Sequence, residues 1–264
     1  MHIAVKPLRT RRMKCKFDIF ESLVNALREN RESLEEGDVI VVSSKFVSVA
    51  QGRIVNTDSI KASRKGNTIS KKFKIMPEIA EIILRESDYI FGGVAGFVIA
   101  SADGIMAPNA GIDKSNASKG TAILYPKHPY LAAEQLRRKI FLEFHIHVGI
   151  ILADSRLMPA RVGTSGVAIA CVGIEPVRDM RAKKDLNKNP LKVTFQAVAD
   201  NMATVANHEM GEGSESIPFA IVRRSRAILT DRKILPVEMT VPPEQCVYMR
   251  GLSGLASQKE YLQM

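Results

Sequence analysis

The sequence holds no tryptophan and only three cysteines, Cys15, Cys171 and Cys246, among 264 residues. They are odd in number and widely separated, and no Cys-x-x-Cys pair occurs, so neither a zinc site nor a disulfide framework is indicated. Cys171 lies in an apolar run and reads as a buried thiol. No stretch approaches the roughly 18 uninterrupted apolar residues that a membrane span needs. The opening Met-His-Ile-Ala-Val-Lys-Pro has no apolar signal core behind a basic start. The expectation is a cytoplasmic protein with no membrane partner. Also missing are the Gly-x-x-x-x-Gly-Lys-Ser/Thr phosphate loop and the Gly-x-Gly-x-x-Gly turn. There is no Gly-x-Ser-x-Gly elbow, no nucleic-acid-binding motif, no internal repeat and no low-complexity segment. The five histidines, His2, His128, His145, His147 and His208, read as surface residues.

What is present is an ordinary globular composition: 45% hydrophobic residues are enough for one large domain or two small ones. The net charge of +10 suits anionic ligands. The basic groups are dispersed, however, as Arg11-Arg12, Lys71-Lys72, Arg137-Arg138-Lys139, Lys183-Lys184 and Arg223-Arg224. With no aromatic platform indicated beside them, a nucleic-acid partner is disfavoured.

Periodicity gives the expected elements. A short strand over Ile3–Val5 is stopped by Pro7, and residues 17–28 have helical spacing. Val39–Val42 is a buried-strand run after Gly37-Asp38, and Ser43-Ser44 offer caps for a helix behind it. Residues 56–74 read as a loop or a loose helix. Pro77 opens a helix to about Glu86. Two strands flank the turn Ala102-Asp103-Gly104. Residues 130–144 form the clearest amphipathic helix. Val148–Ala153 is a strand ending at Asp154-Ser155, and Val167–Ile174 is another apolar run. A helix from Val198 to Met210 ends at Gly211-Glu212-Gly213, and Pro218–Val222 is a further strand. Helices and strands alternate, some strands joined by short turns, which predicts an α/β or α+β fold with a mixed sheet.

Three carboxylates stand out: Asp113 in a polar turn, Asp154 at the end of an apolar strand, and Glu212 between two glycines. Carboxylates suit hard divalent cations, and glycines let main-chain amides approach phosphate closely. Taken singly, each also reads as a turn, strand-end or loop charge, and nothing local brings 113, 154 and 212 together.

The order of several segments carries more. These are Gly-Asp-Val-Ile-Val-Val-Ser-Ser-Lys at 37–45, Ala-Gln-Gly-Arg-Ile-Val at 50–55 and Asn-Ala-Gly-Ile-Asp-Lys-Ser-Asn at 109–116. They continue with Val-Gly-Ile-Ile-Leu-Ala-Asp-Ser at 148–155, Ala-Val-Ala-Asp at 197–200 and Ala-Asn-His-Glu-Met-Gly-Glu-Gly at 206–213. Over roughly residues 1 to 224 the chain resembles the coenzyme F420-0:L-glutamate ligase family, also called F420 gamma-glutamyl ligases. The resemblance implies a catalytic domain over 1–225, with a lobe boundary near 125, and an extension over 226–264. It implies an intertwined homodimer. The implied activity uses GTP and a divalent metal, magnesium or manganese at two sites with potassium as a further candidate, to add L-glutamate to F420-0 through an acyl phosphate. Asp113, Asp154 and Glu212 would be catalytic, and the same three with Ser155 would hold metal. Nucleotide contacts would fall on Thr10, Arg11, Arg12, Met13, Ser43, Ser44, Lys45, Asn116, Met210, Gly211, Gly213 and Ser214.

The chain departs from the family pattern at Arg156–Arg161, which is usually more polar, and at Asp179–Asp185, where Ala182-Lys183 replaces a glycine–arginine pair. Arginine and lysine hold carboxylate and phosphate differently. Two alternatives follow: a family member with altered acceptor specificity, and a nucleotide-binding homologue without catalysis.

Overall fold

A computed structural model of the chain describes residues 2–114 and 117–253. In chain order the elements begin with β1 (Ala4–Leu8), α1 (Ile19–Glu29), β2 (Val39–Ser43) and α2 (Ser44–Ala50). A middle segment follows: β3 (Ile54–Asn56), α3 (Arg64–Phe73), α4 (Pro77–Glu86), β4 (Tyr89–Val94), β5 (Phe97–Ala102), β6 (Ile105–Pro108) and β7 (Thr121–Ile123). The chain then forms α5 (Pro129–Phe144), β8 (Gly149–Leu157), β9 (Thr164–Val172), β10 (Val177–Asp179), β11 (Phe195–Ala197), α6 (Val198–Met210), β12 (Phe219–Arg223) and α7 (Val247–Ser253).

The main sheet has five strands in the order β1-β12-β2-β8-β9. Only β2 and β8 run parallel, with Val39 opposite Gly149 and Ser43 opposite Ala153; the other pairs are antiparallel. The fold is thus α/β with a mixed sheet. Alternate side chains of a strand point to opposite faces, and both faces are covered. Ile40, Val42, Ile150, Leu152, Phe219 and Ile221 pack with Leu23 and Leu27 of α1 and with Leu136 and Ile140 of α5. Val39, Val41, Ile151, Ala220 and Val222 pack with Ala199, Ala203, Ala206 and Met210 of α6. Burial on both faces is why β2 and β8 read as unbroken apolar runs. The alanine face of α6 lies close on β9: a Cβ added at Gly166 would sit 2.4 Å from the Ala203 carbonyl oxygen.

A separate apolar cluster joins Phe73 of α3, Ile79, Ile82 and Ile83 of α4, Val98 and Ala100 of β5, and Ile112 and Ala122. The segment 56–74, expected as loop or loose helix, therefore contains a defined helix. Its Ser63 cap accepts from the Gly66 amide, and Phe73 buries one end. Strand β4 had no counterpart in the sequence reading, because Gly92-Gly93 interrupts its alternation. A Cβ at Gly93 would meet the Phe97 carbonyl oxygen at 2.2 Å, so the strand pair requires glycine there.

Two boundaries differ from expectation in ways that matter. Pro7 does not stop β1. The strand lies at the sheet edge, where a missing amide hydrogen is tolerated. Asp154 does not end β8, which continues to Leu157 and keeps pairing with β9. A bulge leaves Ile169 opposite the step from Leu152 to Ala153.

The segment after β12 returns to the body. Leu229 bridges to Ile174, Thr230 donates to the Gly173 carbonyl, and Arg232 pairs with Glu175 and Glu238. Among the described residues no helix is long and apolar enough to cross a membrane.

Candidate active site

The carboxyl ends of the parallel strands β2 and β8 open into a cleft of about 530 Å³. That is the expected place for a ligand in an α/β sheet, beyond the strand ends. Asp113, Asp154 and Glu212 all line it. So do Thr10, Arg11, Arg12, Met13, Ser43, Lys45, Ser155, Met210, Gly211, Gly213 and Ser214. Ser44 stands behind the wall and reaches the site through its hydroxyl. Asn116 lies outside the described residues.

Each carboxylate arrives by a different route. Asp113 is fixed by a two-way backbone bridge with Ile123, which donates to the Asp113 carbonyl at 2.8 Å and accepts from its amide at 2.9 Å. Its side chain pairs with Lys45 from the first turn of α2. Asp154 and Ser155 are consecutive in β8, so they point to opposite faces of the sheet. Asp154 faces the side of α1 and α5. Its Oδ1 accepts from Ser44 Oγ at 2.8 Å, and its Oδ2 lies 3.0 Å from Arg156 Nε. The serines at 43 and 44 were expected as caps for α2. Ser43 takes the cap position but makes no side-chain cap bond, and the Ser44 hydroxyl serves Asp154 instead.

Ser155 faces α6 and donates to both oxygens of Glu212, at 2.8 and 2.9 Å. Thr164 Oγ1 and Asn207 Nδ2 each donate to Glu212 Oε1 at 2.9 Å. Partial burial pushes the Glu212 carboxyl up. Bonds from Asn207, Ser155 and Thr164, with the charge of Lys45, outweigh it and hold Glu212 below the usual carboxylate range.

The lower wall is a pair of loops zipped together. The Thr10 amide donates to the Ser216 carbonyl, and Ser216 Oγ donates to the Thr10 carbonyl, both at 2.9 Å. Gly211 turns the chain out of α6 at φ +76°, and a Cβ there would strike Glu215 Cδ at 2.6 Å. Glu215 in turn accepts from the Gly213 amide at 2.8 Å.

Sequence reasoning gave no site role to Arg156, Asn207, Thr164 or Tyr125. The Arg156 side chain is 5% exposed and lies over the Tyr125 ring, with 5.8 Å from Cζ to the ring centroid. A signal for it existed. In a strand, residues 154 and 156 share a face, but ending the strand at 153 hid that pairing. Thr164 carries no sequence signal, because only the β8–β9 pairing brings it to Glu212. Asn207 falls inside the 206–213 segment that carries the resemblance, but its bond to Glu212 depends on the turn that ends α6.

The hard donors are oxygens of carboxylates, hydroxyls and the Asn207 amide, and among the described residues no histidine or cysteine lines the cleft. Such a set can hold a hard cation, bind phosphate through its lysine and arginines, and orient a reacting carboxylate. Three cations and four carboxylates among the described residues line the cleft, so the basic surplus of the chain is not concentrated there. Among the described residues, no three histidine, cysteine, aspartate or glutamate side chains converge closely enough to form a ready cation cage. The contacts run instead as three neighbouring groups: Lys45 with Asp113, Ser44 and Arg156 with Asp154, and Ser155, Thr164 and Asn207 with Glu212.

Comparison with known proteins agrees on one family. The F420-0:Gamma-glutamyl ligase family profile matches residues 7–224. The chain is 35% identical to the coenzyme F420:L-glutamate ligase of Methanopyrus kandleri over 204 residues, covering 77% of this chain and 81% of that protein. It is 34% identical to the enzyme of the same name from Methanothermobacter thermautotrophicus, over 78% of this chain and 82% of the relative. For the Methanocaldococcus jannaschii enzyme the identity is 37%, over 72% and 76%.

Proposed function

The chain belongs to the F420-0:gamma-glutamyl ligase family, and from that premise we infer that it joins L-glutamate to the carboxylate of F420-0, with GTP as the activating nucleotide. The observation that carries this reading is the meeting of Asp113, Asp154, Glu212 and Lys45 on one cleft at the carboxyl ends of β2 and β8.

The chemistry explains the parts. A carboxylate resists attack by an amine, so its oxygen is first phosphorylated by the γ-phosphoryl group, and GDP leaves. The glutamate amine then attacks the acyl carbon, and phosphate departs. Lys45, already drawn toward the cleft by Asp113, is placed to offset phosphate charge. Main-chain amides of the 211–217 loop and the cationic side chains of Arg11 and Arg12 border the same space and suit the anionic remainder of the nucleotide and acceptor. Holding the acceptor carboxylate and the amine in one cleft supplies a large part of the acceleration.

The oxygen donors of Asp113, Asp154, Ser155 and Glu212 fit magnesium or manganese, and these residues would hold the ion. A divalent cation bound there would neutralise charge developing on the transferred phosphoryl group. The reading includes residues 1–225 as the catalytic unit and a homodimer as the working form, which light scattering would check as a mass of two chains.

A second reading keeps the nucleotide chemistry and changes the acceptor. It is motivated by the tip of the β8–β9 hairpin, where Leu157, Met158 and Val162 are exposed apolar residues. Purified chain incubated with GTP, manganese, glutamate and F420-0 is expected to yield a product heavier by one or more glutamyl residues. Absence of that product, with GTP cleaved only when a different carboxylic acid is supplied, would favour the second reading.

A further inference from the structure

The guanidinium of Arg156 is the most deeply buried cation beside the cleft, and the family reading gives it no role. Its Nε approaches Asp154 Oδ2 at 3.0 Å, but not along a hydrogen-bonding direction. Neither Nε nor Nη2 has a hydrogen-bond partner among the described residues. The group is held by packing over Tyr125, whose ring also closes on Gly111: a Cβ there would come within 2.6 Å of Tyr125 Cδ2. A buried charge held mainly by packing and one opposite charge acts chiefly through its field.

Among the described residues, the carboxylate paired with Arg156 is that of Asp154. Asp154 sits between Ser44 and Arg156, so its plane is set from both sides. The Arg156 charge also completes a balance. The cleft lining carries one more carboxylate than cations, and Arg156 behind Asp154 cancels the excess. Asp113 meanwhile faces Lys45. A free divalent ion entering this cleft finds two of its carboxylates, Asp113 and Asp154, already attended by cations. A nucleotide polyphosphate brings negative charge of its own and turns the same cations into attractive partners.

We propose that Arg156 is a resident counter-charge and positioning residue for Asp154, which weakens the hold of the empty cleft on a free divalent cation and so makes the ion enter together with the nucleotide. The proposal rests on the reading that Asp154 takes part in holding metal. It deepens that reading by assigning an order of loading, with the metal–nucleotide complex as the species captured.

Manganese titrations followed by electron paramagnetic resonance test it without turnover. The wild-type chain is expected to bind manganese alone weakly, and at least about tenfold more tightly with a non-hydrolysable GTP analogue present. Arg156→Met should raise the affinity for manganese alone by about tenfold or more, the scale on which a neighbouring charge shifts a carboxylate's occupancy. Arg156→Lys, which keeps the charge, should stay near wild type. Equal affinity of the wild type for manganese with and without the analogue overturns the proposal. So does a folded Arg156→Met that binds manganese no more tightly than wild type. If Arg156→Met does not fold, the wild-type comparison and the lysine variant decide. Loss of glutamylation would remove the acceptor assignment while leaving this metal pattern standing. A chain that ligates glutamate without the pattern would keep the ligase and lose the role of Arg156.

Discussion

Strand β2 has an arginine–aspartate pair at each end, and the two pairs are built differently. At its start, Arg223 grips Asp38 with Nε to Oδ1 at 2.9 Å and Nη2 to Oδ2 at 2.7 Å. Arg223 Nη2 also donates to the Ser33 carbonyl at 2.6 Å, Nη1 pairs with Glu35 at 2.7 Å, and the Glu35 amide donates to Asp38 Oδ2 at 2.8 Å. The Asp38 bond most of all, with the charges of Asp38, Glu35 and Glu32, lifts the Arg223 pKa above its ordinary value against the opposing effect of burial. At the other end, Arg156 is equally buried but touches Asp154 through one misaligned contact, and among the described residues its Nε and Nη2 have no hydrogen-bond partner. A saturated buried pair costs its desolvation once and then fixes the fold. An unsaturated one keeps its charge available. The difference separates a structural pair from one that serves the cleft.

The largest effect expected is on the structural pair. Arg223→Met strands the Asp38 carboxylate, 1% exposed, and should cost about 3–5 kcal/mol of stability in denaturant unfolding. Asp154→Asn keeps shape and the Ser44 bond. It removes the counter-charge of the buried Arg156, so it should lower the melting temperature, but by less than Arg223→Met, which breaks several aligned bonds rather than one misaligned contact. It should also lower glutamylation by at least roughly a hundredfold, the scale for losing a group that stabilises transferred charge. A melting temperature that falls as far for Asp154→Asn as for Arg223→Met would erase the contrast between the two pairs.

A smaller effect separates the cleft's own carboxylates. The folded Glu212 carboxyl is held below its usual value by Asn207, Ser155 and Thr164 against the opposing pull of burial. A depressed folded pKa gives stability that is complete above the unfolded value of about 4.3 and is lost as pH falls through the lower folded value. The stability gap between wild type and Glu212→Gln should therefore close as pH drops from 6 toward the acid limit. The change should be modest, because Glu212 is open to solvent and screened. A gap that holds constant across that range would show that the three donors do not stabilise the ionised form.

Much of this was legible in the residues. The helix from Val198 to Met210, the helix opened by Pro77 and the buried run at Val39–Val42 follow from periodicity and stop signals that tertiary packing did not override. The meeting of 113, 154 and 212 was not legible from spacing. It depends on a parallel pairing between strands about a hundred residues apart and on a backbone bridge at Ile123, and only resemblance to a family suggested it. Arg156 was legible in principle and was lost by one boundary. The hydrophobic run stops at Ala153 while the hydrogen-bonded strand does not, because polar residues at a cleft continue a ladder that apolar patterning cannot trace.

The smallest expected effect tests whether the looseness around Arg156 is real. The Tyr125 hydroxyl, like two of the Arg156 nitrogens, is buried without a hydrogen-bond partner among the described residues, and burial pushes its pKa well above the ordinary phenol value. Removing an unsatisfied buried hydroxyl relieves a desolvation cost rather than breaking a bond. Tyr125→Phe keeps the ring over Arg156 and against Gly111, so it should match the wild type in unfolding within about 1 kcal/mol, or exceed it. The affinity for manganese should not move, because the phenol carries no charge at neutral pH. A loss above about 2 kcal/mol would mean that the hydroxyl is bonded in the folded chain. The surroundings of Arg156 would then be better satisfied than the unpartnered Tyr125 hydroxyl implies, and the contrast between the two ends of β2 would narrow.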